Sequence, residues 1–153
     1  MAHVRQTRRS LLVSGLLFGI GFVAFVDEAV FHQVLGWHHF YDRSTTEIGL
    51  LSDGVFHAFS WFATVGGAFL LADTVRRGGW SPLRWWAAVL VGVGAFQLYD
   101  GIVQHKLLRV HQIRSVDDLL PYDLAWNVSA ALVLAVGAVL LFVDRRRAAT
   151  VRS

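Results

Sequence analysis

Four long apolar stretches, at 11–30, 50–72, 83–103 and 124–143, constrain this chain more than any other feature. Each is long enough to carry a helix across a bilayer, which takes about 20 residues. Hydrocarbon offers a backbone N–H or C=O no partner, so each stretch has to satisfy its own polar groups by folding as a helix. With 55% hydrophobic and 16% charged residues over 153 positions, the chain is too apolar for a soluble domain of this size. Gly15-Leu-Leu-Phe-Gly19 and Gly66-Gly67 would weaken soluble helices, but between membrane helices small residues permit close approach. The expected fold class is all-α: a four-helix transmembrane bundle, a single integral membrane domain over residues 1–153.

Basic residues orient the spans. Ten of the fourteen Lys and Arg fall at the N-terminus, between the second and third spans, or at the C-terminus. The other four are Arg43, Lys106, Arg109 and Arg114. The positive-inside rule therefore places both termini in the cytoplasm and the regions near 31–50 and 104–121 outside. The net charge of +3 conceals +8 inside (ten basic, two acidic) and −5 outside (four basic, nine acidic). This asymmetry orients a membrane protein and gives no reason to expect a nucleic-acid partner. The first span looks like a signal sequence, but Asp27-Glu28 stand where a small-residue cleavage site would be, so it reads as an uncleaved anchor.

The second half repeats the first. A shift of 73 residues lays Asp27, His32 and His38 on Asp100, His105 and His111, so both halves read D-x4-H-x5-H, and lays Gly19 and Gly21 on Gly92 and Gly94. A shift of 70 lays Asp53 and His57 on Asp123 and Asn127. Residues 11–72 and 83–143 thus read as two helix-loop-helix repeats. A two-span unit returns to its starting side, so the copies are expected to be parallel, related by an axis along the membrane normal.

This arrangement gathers ionisable groups at one depth. Six of seven histidines and nine of eleven acids fall at the outer side. The leading metal ligands are His32, His57 and His105, with Asp27, Glu28, Asp53, Asp100 and Asp123 as ligands or as carboxylates that orient an imidazole, and His38 and His111 as further candidates. The bland alternative is that the acids cap and solvate helix ends and the histidines lie in wet loops. Charges inside apolar helices weigh against it, because they are costly and usually functional. Glu28 and His32, like Asp53 and His57, are four apart and share a helix face. Asp100 and His105 are five apart, about 140° away from alignment on an α-helix, so they need not share a metal.

The chain has no cysteine and one methionine, the first residue, so soft donors are missing. Mixed imidazole and carboxylate donors suit copper(II), zinc, iron or manganese. The aromatic residues near helix ends read as an interfacial belt ahead of a haem pocket. No phosphate loop, dinucleotide fingerprint or serine-hydrolase signature is present.

The segments DEAVFHQVLGWHH (27–39), DGVFHAFSW (53–61) and DGIVQHKLLRVHQI (100–113) resemble those of the bacterial membrane proteins grouped as domain-of-unknown-function family twenty-two forty-three. The resemblance covers nearly the whole chain. Here Glu28 follows Asp27 where glycine is common in that family, and Gln104 stands where a second acid is often found. The resemblance implies a multi-pass protein of the bacterial plasma membrane and an association with copper and terminal-oxidase assembly, with no activity to transfer.

Two functions of different class are expected from these observations. The first is a membrane metal-binding protein with an outward-facing His/carboxylate site, acting in redox chemistry or in metal delivery to an extracytoplasmic or respiratory partner. The second is a small proton or ion transporter using an intramembrane carboxylate relay. A haem-binding or accessory subunit of a respiratory complex, and a homo-oligomer, are further possibilities.

Overall fold

The computed structural model describes residues 2–150, and all the regular structure among them is helical. Arg152, counted above among the basic residues, lies outside them. Helix α1 (Ala2–Asp27) runs on into a π-helix, π1 (Glu28–Val34), and α3 (Pro82–Leu98) runs on into a second, π2 (Tyr99–Leu108). The other two are α2 (Thr46–Arg76) and α4 (Leu120–Thr150). Four helices are long and apolar enough to span a membrane: Gln6–Val34, Thr46–Arg76, Pro82–Leu108 and Leu120–Thr150. They run beyond the apolar stretches because a helix continues through the polar residues at its ends, which hydropathy alone leaves out.

The bundle is open. α1 packs on α2, α3 on α4, and α1 on α3, giving the order α2, α1, α3, α4, with α2 and α4 on the outside and not packed on each other. Large apolar side chains such as Phe62, Phe69, Leu132 and Val139 therefore point outward. Such a surface suits hydrocarbon rather than water.

Glycine makes each seam, and the seams match in the two halves. At α1–α3 a methyl on Gly92 would lie 2.6 Å from the Leu16 carbonyl oxygen, and one on Gly19 would run into the Val89 backbone, 73 residues on from Leu16. On the flanking seams a methyl on Gly67 would meet Phe18 N at 2.6 Å, and one on Gly137 would meet Val91 N at 2.7 Å. Gly15 meets Ala88, its own counterpart under the 73-residue shift, where the halves touch. At the arginine-bearing end, buried Arg84 of α3 donates through Nε (2.9 Å) and Nη2 to Asp144 of α4, which also lies 3.7 Å from Arg8. This pair ties the second half together.

Each π-helix ends in the same way. Trp37 N donates to Phe31 O (2.9 Å) and Val110 N to Gln104 O (3.1 Å), six residues back, after a left-handed residue at Gly36 (φ 57°) or Arg109 (φ 52°). The familiar α-helix stop bonds back five residues after a left-handed residue, and the wider π winding makes it six here. Glycine adopts that conformation at no steric cost, whereas an ordinary residue gives up roughly 1–2 kcal/mol. Arg109→Gly is therefore expected to raise thermal stability in detergent by up to about 1 kcal/mol, once the extra chain freedom of glycine is deducted. Thermal unfolding of the purified variant checks this.

Candidate functional site

The π-helices set the register of the site. In a π-helix each hydrogen bond spans five residues, so residues five apart stack on one face. Asp100 and His105, which an α-helix would separate, lie with Oδ2 and Nε2 3.0 Å apart. The separation reckoned on an α-helix is thus replaced by the local helix type, which brings the two side chains together. The same winding lets Gln33 Nε2 donate to Glu28 Oε1 (2.8 Å) and brings His32 Nε2 to 3.8 Å from Asp27 Oδ2.

Beyond the π-helices the two loops cross over the helix ends and bring four buried imidazoles together. His32 and His38 have ring centres 4.4 Å apart, and His105 and His111 are 4.7 Å apart. His38 stacks on His111 at 4.6 Å with planes 6° apart. The cross distances, His32 to His111 and His38 to His105, are 6.0 and 6.2 Å. Each half contributes the same pair.

The loops also exchange hydrogen bonds. His38 Nδ1 lies 3.1 Å from the Ile113 carbonyl oxygen, and His111 Nδ1 lies 2.9 Å from that of Phe40, 73 residues before Ile113. A carbonyl only accepts, so Nδ1 carries the proton in both rings and directs Nε2 at the interior. Burial, and then the neighbouring rings of His111, His32 and His105, hold the His38 imidazole far below its usual pKa, so it is neutral with a lone pair on Nε2. His111 Nε2 lies 3.5 Å from Asp100 Oδ1. A lone pair facing a carboxylate oxygen at that distance is repulsive unless a cation, a proton or a metal ion, lies between them.

Four carboxylates line this space: Asp27, Glu28, Asp53 and Asp100, each at most 3% exposed. Among the described residues none of the four pairs with a lysine or arginine; their partners are histidines. Two groups could hold a metal ion, Glu28, His32 and Asp53 in the first half and Asp100, His105 and His111 in the second. In the first, His32 Nδ1 is 2.9 Å from Glu28 Oε2 and 3.1 Å from Asp53 Oδ1. Asp53 is held by Phe40 N (2.7 Å) on Oδ1 and by His39 Nδ1 (2.6 Å) on Oδ2. Several inward-facing atoms have no hydrogen-bond or ion-pair partner closer than 3.5 Å among the described residues: Asp27 Oδ1, Nε2 of His32, His38 and His111, and Nδ1 of His105. Buried polar atoms are otherwise nearly always paired, so this concentration of orphans marks the place where a ligand would be held.

Eight of the ten residues selected from sequence meet here, and two stand apart. His57 is exposed on α2 beside the Phe25 ring (5.4 Å), and Asp123 of α4 is tied to Lys106 Nζ at 2.6 Å. His39 belongs to the site through Asp53 and was not among the ten. Its signal was the doublet with His38, since of two adjacent loop histidines one can enter the cluster while the other closes over it.

No curated protein and no solved structure matches the chain significantly. A family model does, over residues 14–144, which reaches into all four spans and takes in every residue of the cluster. The chain belongs to the family of predicted membrane proteins described as DUF2243.

Proposed function

We propose that the protein binds metal in the membrane: its His/carboxylate centre lies at the outer face of a bacterial plasma membrane and carries out redox chemistry or hands metal to an extracytoplasmic or respiratory partner. The observation that carries this reading is the set of four buried carboxylates facing four imidazoles, with no lysine or arginine partner among the described residues. Burying such charge uncompensated is very costly, and a metal ion with neutral imidazoles is the usual remedy. The orientation rests on the arginines, because Arg8, Arg76, Arg77 and Arg84 lie at the opposite end of the helices. Donors of this kind suit copper(II), zinc, iron or manganese.

Neither alternative has comparable support. A haem would need open space between axial histidines, whereas His38 and His111 stack at 4.6 Å. A proton relay would need polar steps along the central seam, which is built from Gly15, Leu16, Gly19, Ala88, Val89 and Gly92.

Elemental mass spectrometry of the detergent-purified chain is the test, and at least one transition-metal ion per chain is the expected result. His57→Ala should keep that content and His105→Ala should lower it, since only the second ring faces the cluster. A chain that stays metal-free after reconstitution with copper, zinc, iron and manganese would sink the proposal.

A further inference from the structure

The two halves of the centre are built alike and furnished differently. The counterpart of Glu28 is Gly101, and a side chain could not stand there: its Cβ would lie 2.6 Å from Asn127 Oδ1 and 2.7 Å from Trp126 Cδ1. The counterpart of Asp53 is Asp123, which Lys106 neutralises at 2.6 Å while Gln112 Oε1 accepts from the same Nζ at 2.9 Å. The counterpart of His39 is Gln112, which donates to the His105 carbonyl oxygen (2.6 Å) and to no carboxylate. His32 turns Nδ1 toward Glu28 and Asp53, at 3.8 Å from Asp27 through Nε2, whereas His105 turns Nε2 onto Asp100 at 3.0 Å. The first half thus offers two carboxylates and one imidazole. The second offers two imidazoles and one carboxylate.

Geometry sets the number of ions. The two groups able to hold a metal, Glu28, His32 and Asp53 in the first half and Asp100, His105 and His111 in the second, share no residue. Among the described residues neither group has a lysine or arginine partner, so one ion would leave the carboxylates of the other group buried with histidines alone.

Building on the metal-binding reading, we infer that the centre holds two divalent ions in chemically distinct sites, an oxygen-rich site at Glu28, His32 and Asp53 and a nitrogen-rich site at Asp100, His105 and His111. Nitrogen donors favour the later ions of the first transition row, and carboxylate donors favour harder ones such as manganese(II). Gly101 and Lys106 maintain the difference: the first excludes a carboxylate from the second half, and the second removes Asp123 as a donor.

The test uses the full chain in detergent, stripped with chelator and dialysed against zinc(II), manganese(II) or both, with metal counted by elemental mass spectrometry after gel filtration. With zinc(II) limited to one equivalent per chain and manganese(II) in excess, the expected content is two ions per chain, one of each, because zinc binds either site more tightly than manganese and fills the nitrogen-rich one first. Glu28→Gln should remove manganese and keep zinc, and His105→Ala should remove zinc and keep manganese, each with a roughly 10–100-fold loss of affinity at the altered site. Elution volume and helical circular dichroism check folding; if Glu28→Gln fails there, Asp53→Asn takes its place. One ion per chain lost with either variant, or two ions lost together with either, would overturn the two-site inference and leave metal binding standing. A chain that binds neither these ions nor copper or iron would overturn both.

Discussion

Gly67→Ala is expected to lower the stability of the detergent-solubilised protein by about 1–3 kcal/mol, the usual cost of forcing a methyl into a filled contact. Gly66→Ala, one residue earlier, should leave it unchanged or raise it by up to about 1 kcal/mol, the usual gain of alanine over glycine inside a helix. A methyl on Gly67 meets the α1 backbone, 2.6 Å from Phe18 N and 2.9 Å from Ser14 O, whereas one on Gly66 meets nothing within 4 Å. Backbone cannot rotate away as a side chain can, so α2 has to move off α1. Asp53 rides on α2 and reaches His32 and Phe40 N on the first half's loop side, so the same substitution should weaken the first-half carboxylate group. Thermal unfolding of both variants with metal content measured alongside decides it, and equal behaviour of the two would contradict the seam.

These seams also show what the sequence could reveal. Four spans were legible because apolar length is a composition-level property, and the pairing of Gly19 and Gly21 with Gly92 and Gly94 was legible as spacing. The open order α2, α1, α3, α4 was not, because a glycine marks a close approach without naming the helix that approaches. The cluster was legible in residue type and depth, through D-x4-H-x5-H in both halves. Its register was not, since angles reckoned on an α-helix separate Asp100 from His105, and only a π-helix aligns them. Two further residues were beyond pattern. Asp123 on α4 is the counterpart of Asp53 and His57 lies one turn on from Asp53 along α2, yet whether they enter the cluster depends on helix rotation and on a neighbour such as Lys106.

Asp27→Asn should move stability in opposite directions depending on metal. Asp27 is 3% exposed, its Oδ1 has no hydrogen-bond partner among the described residues, and its Oδ2 lies 3.8 Å from His32 Nε2. In chelator the ionised form of this buried carboxyl is poorly compensated, and exchanging it for a neutral amide of the same shape should raise stability by up to about 1–3 kcal/mol. With metal bound the same charge offsets the cation, so the variant should bind metal more weakly, by about 10–100-fold, and lose much of the stabilisation that ligand binding confers on the folded state. Thermal unfolding of parent and variant, each in chelator and in saturating zinc(II), gives four midpoints. The variant should melt above the parent in chelator and show the smaller rise on adding zinc. If it melts below the parent in both conditions, Asp27 contributes to folding by its charge alone and the electrostatic account of the centre fails. A crossover would tie the buried acids to metal binding, because stability lost without the cation and regained with it is the signature of charge held ready for a ligand.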